Sequence, residues 1–562
     1  MDRDGISVGQ LNSFLTKNTL WAGFDANKSL QPSKINEVRY DGITYAEYFF
    51  SGRDVKGERV RIFGMFATPD DVKSYNAILY LPDVSESPSF DMIMEYAKMG
   101  YAVFAVDFCG KTDSERKCTS YPESVAYANY HERGRSMDFV DKSAFETAWY
   151  EWASVGRYAI SFLASQPKVK NIGVIGVKHG SNIAWQLAAT DDRIKCSVMM
   201  FGAGWYAYKG HFKYDDGEGL VINDERRRFI AALEAHAYAQ DARCPILYVS
   251  STNNDSFDFD RSFDTLFRIP DATDHYFNFA PSFNEYLDNF CKKDVELFLK
   301  KYLNGKDTYF PQPPTLNAEQ DGRYITVNIA PDDEENVTEC KVFVNEGVVD
   351  PALRNWMPCE QSQYDKNEYE YVLTGESTKI FAFATVKYKS GVTVSSKLVH
   401  MPIVLTHSKR SGIVYTSKDG LDGITFYDKK SMRESIFARP EQFIKLVKGA
   451  GDIYGAYSEC GLISYKFGEP GCNVDENSII KLDVHTREFC VLRLIFMQKT
   501  SNGVVEYVYS TECKASTGWK NLVVKTSEFK TVDGMGIRSF DGLYALRIEG
   551  DGKFAVNNIL LI

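Results

Sequence analysis

The chain has 562 residues and a formal net charge of −11, with 65 basic against 76 acidic side chains. A single hydrophobic core seldom grows beyond about 250–300 residues, so this length predicts several domains. The acidic balance and the lack of a dense basic run argue against nucleic acid as a partner. No segment approaches the roughly 20 apolar residues of a membrane span, so a membrane partner is not expected either.

The 11 cysteines show neither metal-ligand spacing nor a pairing rhythm. We therefore expect reduced thiols, a cytoplasmic location, and no bound metal or other cofactor. Residues 1–6 lack the charged-then-apolar pattern of a secretion signal, which agrees with that expectation.

Residues 1–305 alternate predicted strands with predicted helices. Apolar strands are predicted at residues 77–82, 101–106 and 245–250, and helices at residues 90–100, 144–165 and 291–303. This alternation is typical of an α/β domain whose mostly parallel sheet is covered on both faces. Residues 206–243 interrupt the rhythm with a polar, partly helical stretch, which is either a cap over the site or a peripheral helix pair.

The proline-rich residues 310–314 predict a domain boundary. Beyond it, runs of alternating apolar and polar residues separated by turn residues predict an immunoglobulin-like β-sandwich over residues 315–404. Residues 405–562 again have strand patterns, with longer loops, and resemble the jelly-roll modules that accompany carbohydrate-active enzymes. Exposed strand edges in these modules are compatible with a homodimer.

Residues 171–180 are the most informative stretch, because an apolar strand pattern leads there into a turn and then a helix. Gly176 and Gly180 flank Lys178 at the spacing of a G-x-S-x-G nucleophile elbow. A Cβ at either glycine would clash where strand, turn and helix pack closely. Lys178 stands where the attacking serine would be. The alternative is an ordinary strand–helix turn that contains two glycines.

Residues 147–205, with tryptophans at positions 149, 152 and 205 around the elbow, resemble the acetyl xylan esterase and dienelactone hydrolase-like group of α/β-hydrolases. A weaker resemblance covers about residues 40–304. The resemblance implies an α/β-hydrolase fold, carboxylic or carbohydrate ester substrates, and a triad in the order nucleophile, acid, histidine. Asp255 matches the acid. Glu285 occupies the histidine position, or Asn284 does if the alignment shifts by one residue.

Two of the three triad positions have therefore changed, one to a positive and one to a negative side chain. Because charges are buried at low cost only beside partners, we predict an ion pair between Lys178 and Glu285, with Asp255 nearby. Adjacent carboxylates favour the ammonium form of a lysine, so Lys178 is predicted to be a poor nucleophile for esters.

Three further side chains are candidates for the binding site. His179 follows the elbow residue, so its backbone N–H would take an oxyanion-hole position. His275 is the histidine nearest in sequence to the missing one, and Trp205 lies near the region that borders the pocket mouth in the family. Ser181, considered as a displaced nucleophile, is expected to point away from the site.

Two functions remain open. The first is a catalytically degenerate α/β-hydrolase, a pseudoenzyme that binds a carbohydrate or an acidic metabolite, or acts as a scaffold. The second is an enzyme with a rearranged site. It would be either an esterase that uses a histidine from elsewhere or an acid/base enzyme that uses Lys178, Asp255 and Glu285.

Overall fold

A computed structural model describes residues 15–84, 86–111, 117–132, 137–217, 220–375, 377–404, 412–428 and 435–562. The predictions that concern residues 1–6 and the start of the last domain, residues 405–411, lie outside these ranges. The structure describes all 11 cysteines and joins none of them in a disulfide bond. In the part of the chain described, no helix has both the length and the apolar character that crossing a membrane requires.

Residues 15–305, the α/β segment, contain one nine-stranded sheet with helices on both faces. Its strands are β1 (Ser33–Tyr40), β2 (Ile43–Val55), β3 (Glu58–Pro69), β4 (Tyr75–Leu81), β5 (Ala102–Asp107), β6 (Val169–Val177), β7 (Ile194–Met200), β8 (Ile246–Ser251) and β9 (His275–Ala280). Its helices are α1 (Lys17–Leu20), α2 (Phe90–Ala97), α3 (Ala148–Ala164), α4 (His179–Thr190), α5 (Asp224–Ala232), α6 (Ala235–Ala239), α7 (Phe259–Leu266) and α8 (Asn289–Tyr302).

The strand order is β1-β2-β3-β5-β4-β6-β7-β8-β9. Neighbouring strands from β5 to β9 are parallel, whereas β1, β2, β3 and β5 pair antiparallel in turn. Side chains of α3 and α4 belong to one hydrophobic cluster of the sheet, and those of α2 and α8 to another. The predicted mostly parallel sheet with both faces covered is therefore confirmed.

Local sequence signals explain where these helices begin and end. The Thr147 side chain accepts a hydrogen bond from the Tyr150 N–H and so caps α3, which makes this helix start later than the predicted residue 144. Helix α2 ends at Ala97 because the chain reaches Gly100, whose φ of 93° lies in the left-handed region that favours glycine.

Residues 315–402, the middle β segment, form two antiparallel sheets, ordered β10-β11-β15-β14 and β13-β12-β16-β17, with β18 also paired to β16. The strands are β10 (Thr315–Asp321), β11 (Tyr324–Ala330), β12 (Val337–Glu346), β13 (Met357–Pro358), β14 (Glu360–Gln361), β15 (Glu368–Val372), β16 (Lys379–Tyr388), β17 (Thr393–Ser395) and β18 (Val399–Pro402).

Residues 412–562, the C-terminal β segment, form two more sheets, ordered β21-β22-β29-β24-β27, with β19 paired to β29, and β20-β23-β28-β25-β26. The strands are β19 (Ile413–Tyr415), β20 (Thr425–Phe426), β21 (Lys445–Lys448), β22 (Tyr454–Tyr457), β23 (Leu462–Ser464), β24 (Ile479–His485), β25 (Cys490–Thr500), β26 (Gly503–Cys513), β27 (Lys520–Lys525), β28 (Leu543–Gly550) and β29 (Ala555–Leu561).

A buried ion pair joins the α/β segment to the middle β segment. The Arg354 guanidinium donates to both carboxylate oxygens of Asp260 in α7, at 2.5 and 2.7 Å, and both side chains are completely buried. The same guanidinium lies 3.6 Å from the centre of the Phe381 ring. Asn253 adds two hydrogen bonds, to the carbonyls of Ala352 and Arg354. Residues 350–354 are thus fixed against the edge of the sheet where β8 ends.

Replacement of Arg354 by methionine should strongly destabilise the fold, because it leaves the Asp260 carboxylate buried without a counter-charge. We expect the free energy of unfolding to fall by about 3–5 kcal/mol, measured by urea denaturation. Arg243→Met is the matched control, since it removes the exposed Arg243–Asp192 pair and should cost less than about 1 kcal/mol. Equal effects of the two substitutions would contradict this account of the interface.

Candidate functional site

Lys178 forms the apex of a sharp turn between β6 and α4. Its φ of 52° and ψ of −114° lie in a sparsely populated region that costs a non-glycine residue of order 1–3 kcal/mol. Two backbone hydrogen bonds hold the turn. The Lys178 N–H donates to the Met200 carbonyl at 2.8 Å, and the Ser181 N–H donates to the Lys178 carbonyl at 3.0 Å. The predicted elbow is present, with a lysine at its apex.

Both flanking glycines are required by close backbone packing. A Cβ at Gly176 would lie 2.5 Å from the Gly180 carbonyl oxygen, and a Cβ at Gly180 would lie 2.2 Å from the carbonyl oxygen of Leu81. Ser181 does not replace the nucleophile, because its buried hydroxyl donates to the carbonyls of Gly176 and Met200.

The structure contains the predicted ion pair between Lys178 and Glu285. The Lys178 Nζ lies 3.4 Å from Glu285 Oε2, and the two side chains are 16% and 48% exposed. Glu285 lies in the loop after β9, and the preceding residue, Asn284, holds this loop. The Asn284 side-chain oxygen accepts the Glu285 N–H at 2.6 Å, and the Asn284 carbonyl accepts a hydrogen bond from the Asn254 side-chain amide at 2.9 Å. Glu285, and not Asn284, therefore forms the ion pair with Lys178.

Asp83, which sequence reasoning missed, forms the other half of the elbow site. The His179 Nδ1 lies 2.6 Å from Asp83 Oδ1, and because an ionised carboxylate can only accept, Nδ1 carries the proton. The backbone N–H of His179 donates to the same oxygen at 3.3 Å. The imidazole is held by stacking on the Tyr206 ring, with centroids 5.4 Å apart.

The predicted oxyanion-hole position at the His179 N–H is therefore occupied by a carboxylate. Burial raises the pKa of Asp83, but the His179 ring, the Lys178 charge and the Val84 N–H outweigh burial and hold that pKa below its ordinary value. Asp83 follows directly after buried strand β4, which pairs with β6. Because carboxyl ends of parallel strands meet at one sheet edge, its position after a strand was the signal that could have identified it.

Asp255 follows β8, as its family position implies, but it does not join the ion pair. Its carboxylate accepts a hydrogen bond from the Ser256 hydroxyl at 2.9 Å, and among the residues the structure describes no cation lies within 4.0 Å of it. It lines a cavity of about 540 Å³ together with Glu285 and Trp205. Asp255 thus lines the same cavity as Glu285, the ion-pair partner of Lys178, and its predicted place near Lys178 stays a prediction.

Three segments of the chain build the walls of this cavity. The α/β segment contributes the loops around Trp205, Asp255 and Glu285, and residues 208–212 of the stretch predicted as a cap or a peripheral helix pair. The middle β segment contributes residues 350–353. The C-terminal β segment contributes an aromatic and polar wall formed by Tyr427, Tyr465, Met497, Lys499, Val504, Glu506 and Tyr544.

The Trp205 side chain is fixed in the cavity wall. Its indole N–H donates to the Thr265 hydroxyl at 2.8 Å, and its ring stacks on His236 with centroids 4.2 Å apart. Its backbone N–H donates to the Glu234 carboxylate. Trp205 is therefore a rigid aromatic surface that a ligand in the cavity would contact.

His275, predicted as a binding residue, lies apart from the elbow, at the opposite edge of the sheet. It is the first residue of β9 and pairs with Ile246 at the start of β8, so it lies at the amino edge of the sheet, whereas the elbow lies at the carboxyl edge. Five residues of extended chain separate the two edges by about 17 Å. The His275 Nδ1 contacts the Thr273 carbonyl at 2.9 Å. Among the described residues, no group of histidine, cysteine and acidic side chains is arranged to hold a metal ion.

The ionised form of Asp83 should stabilise the fold at neutral pH, because its pKa is depressed in the folded protein. Asp83→Asn should therefore lower the melting temperature at pH 7. The difference in melting temperature between Asp83→Asn and the native chain should shrink as the pH falls from about 4, where the carboxyl group of Asp83 titrates in the unfolded chain. It should keep shrinking towards the lower pKa that Asp83 has in the folded protein. Differential scanning calorimetry of both proteins checks this. Asp271→Asn, at an exposed position, is the control, and a difference that stays constant down to pH 3 would contradict the Asp83 assignment.

Comparison with known proteins agrees with this geometry. Residues 62–269 match the model of the dienelactone hydrolase family. Acetyl xylan esterase from Paenibacillus sp. R4 is similar at 15% identity over 53% of this chain and 100% of that chain, with a TM-score of 0.39. Acetyl xylan esterase 1 from Thermoanaerobacterium sp. JW/SL YS485 is similar at 14% identity over 53% and 99% of the two chains, with a TM-score of 0.37.

A third solved structure, Est1E from Butyrivibrio proteoclasticus with ferulic acid bound, is similar at 12% identity over 45% of this chain and 96% of that chain, with a TM-score of 0.30. No curated protein matches the chain. The observed strand–elbow–helix arrangement lies within residues 62–269, the part of the chain that matches the model of the dienelactone hydrolase family.

Proposed function

We propose that this chain is a ligand-binding protein on an α/β-hydrolase scaffold and that it does not catalyse ester hydrolysis of the serine type. One observation carries the proposal. The Asp83 carboxylate accepts the backbone N–H of His179, the group that would stabilise the oxyanion in a G-x-S-x-G elbow. A carboxylate at that position repels the negative charge that develops during acyl transfer, and the residue at the apex is a lysine engaged by Glu285.

The ligand we propose is a carbohydrate or a similar polyhydroxylated molecule in the cavity beside Glu285. A volume of about 540 Å³ falls within the range of small-molecule sites. Tryptophan and tyrosine rings provide stacking surfaces, and the Asn284 side chain adds an amide group to the lining.

An acidic metabolite, the other ligand considered from sequence, suits this cavity less well. Five carboxylates line it, those of Asp255, Asp258, Glu285, Asp350 and Glu506, against the three cations Lys209, Arg261 and Lys499. Like charges disfavour an anionic ligand at such a surface.

Acid/base catalysis is a second candidate function. The Lys178 Nζ and Glu285 Oε2, 3.4 Å apart, are close enough to exchange a proton through a small movement or one water molecule. Glu285 also lines the cavity. A proton-transfer reaction on the cavity ligand would depend on both residues and would not need an oxyanion hole.

For the two β segments we propose an immunoglobulin-like sandwich and a jelly roll. In each, strands of both antiparallel sheets share one hydrophobic cluster, which supports a sandwich. The domain limits 1–305, 315–404 and 405–562, the cytoplasmic location and the homodimer stay predictions.

Hydrolysis of a small aryl acetate tests the proposed loss of ester chemistry. We expect the native chain and Lys178→Ala to have the same rate, within about twofold of buffer alone, because the triad and the oxyanion hole are both absent. Spectrophotometric initial rates measure this. A native rate well above buffer that Lys178→Ala abolishes would contradict the proposal and favour acid/base or lysine-dependent catalysis.

Restoring the triad residues separates the effect of the changed triad from the effect of Asp83 at the oxyanion position. The double variant Lys178→Ser/Glu285→His should remain slow, because Asp83 still occupies the oxyanion position. Adding Asp83→Ala should then raise the rate by about 10²-fold, the typical effect of one oxyanion-hole donor. A double variant as fast as the triple variant would show that Asp83 does not block the site.

A further inference from the structure

Two tyrosine hydroxyls of the C-terminal β segment face the cavity without a partner. Tyr465 and Tyr544 are each only 6% exposed and line the cavity. Their rings are nearly parallel, with centroids 6.3 Å apart. Neither hydroxyl has a hydrogen-bond partner among the residues that the structure describes. Neither oxygen is among the buried side-chain atoms that lack a partner, so both are open to the cavity, where a bound group could accept or donate a hydrogen bond.

Asp255 belongs to the α/β segment and lines the same cavity as these two tyrosines. Burial, neighbouring tyrosine rings and the charge of Asp255 raise the pKa of both Tyr465 and Tyr544, so the hydroxyls stay neutral and keep oxygen lone pairs available. Asp255, Tyr465 and Tyr544 all line the same cavity. The cavity wall thus brings together one carboxylate and two phenolic oxygens, all able to accept hydrogen bonds.

Among the five carboxylates that line the cavity, that of Asp255 has no ion-pair partner in the described part of the chain. The other lining carboxylates have cation partners, in the pairs Glu285–Lys178, Asp258–Arg261, Asp350–Lys499 and Glu506–Arg547. Lys209, a lining cation that has no ion pair among the described residues, is solvent-exposed. The unbalanced charge beside the two tyrosines is therefore negative.

The loop that carries Asp255 is held in this orientation. The Asn254 side-chain oxygen accepts the N–H groups of Ser256 and Phe257, at 2.9 and 3.0 Å. Asn253 is buried and donates to two carbonyls of the middle β segment. A carboxylate fixed on a rigid loop needs little rearrangement to bind, which favours affinity.

We propose that Asp255, Tyr465 and Tyr544 form a subsite for a primary ammonium group, so that the ligand of the cavity is an amino sugar or a similar polyhydroxylated amine. The inference rests on the proposed binding function and names the class of ligand. An ammonium group has three N–H donors, one for each of the three acceptors, and its charge balances Asp255. A neutral sugar lacks that charge, and an anion would be repelled.

Isothermal titration calorimetry of the full-length chain with four probes tests this inference. The probes are glucosamine, N-acetylglucosamine, glucose and cyclohexylamine, at a pH where both amines are protonated. We expect glucosamine to bind at least about tenfold more tightly than glucose and N-acetylglucosamine, because only glucosamine combines the ammonium with hydroxyl groups.

Three variants test which residues cause the tighter binding of glucosamine. Asp255→Asn should reduce glucosamine affinity to that of glucose, because it removes the charge that the ammonium group balances. The double variant Tyr465→Phe/Tyr544→Phe, which removes only the hydroxyls, should weaken glucosamine binding by about tenfold. Asp271→Asn makes the same charge change at an exposed position outside the cavity lining and should alter nothing. Melting temperatures of all variants exclude loss of fold as the cause.

The outcomes separate the two proposals. Equal affinity for glucose and glucosamine would overturn the ammonium subsite and leave the carbohydrate-binding function standing. Binding of cyclohexylamine as tight as that of glucosamine, and dependent on Asp255, would support the subsite but contradict a carbohydrate ligand. Absence of binding by all four probes would overturn both.

Discussion

The positive charge of Lys178 at the apex of the elbow determines how the rest of the site is arranged. A lysine side chain that is only 16% exposed needs counter-charges for its ammonium group. Glu285 contacts it directly, and the Lys178 charge helps to lower the pKa of Asp83, which holds His179 by its ring and its backbone N–H. These four residues form one electrostatic unit. The turn keeps the backbone shape of a nucleophile elbow. The position that an oxyanion would occupy beside the His179 N–H is taken by the negative carboxylate of Asp83.

The strained turn persists although its usual side chain is absent. Its shape depends on contacts that do not involve the nucleophile, namely the close approach at Gly176 and Gly180 and the hydrogen bond from Lys178 to Met200. The cavity beside it depends in turn on packing between segments, since residues 350–354 are fixed by Asp260 and Asn253. The proposed ligand site is therefore built by all three segments and not by the α/β segment alone.

Features that arise from local pattern could be predicted from the sequence. The alternation of strands and helices predicted the sheet, the glycine spacing predicted the elbow, and the paired change of charge predicted the contact between Lys178 and Glu285. Asp83 was not predicted, because a single aspartate after a strand looks like a turn residue until the strand order places β4 beside β6. The position of His275 was not predicted, because closeness in sequence does not say which edge of a sheet a residue occupies. The role of Tyr465 and Tyr544 depends on packing between distant segments, which local pattern does not encode.

Intact-mass spectrometry after incubation with an alkyl fluorophosphonate tests the central claim most directly. This reagent forms a covalent phosphonyl adduct with the activated serine of a serine hydrolase. The account predicts that the native chain keeps its unmodified mass, because the elbow carries Lys178 and the Ser181 hydroxyl is hydrogen-bonded to two carbonyls. An adduct mapped by peptide sequencing to a serine beside the cavity would contradict it, since it would reveal an activated nucleophile and a working ester-hydrolase site.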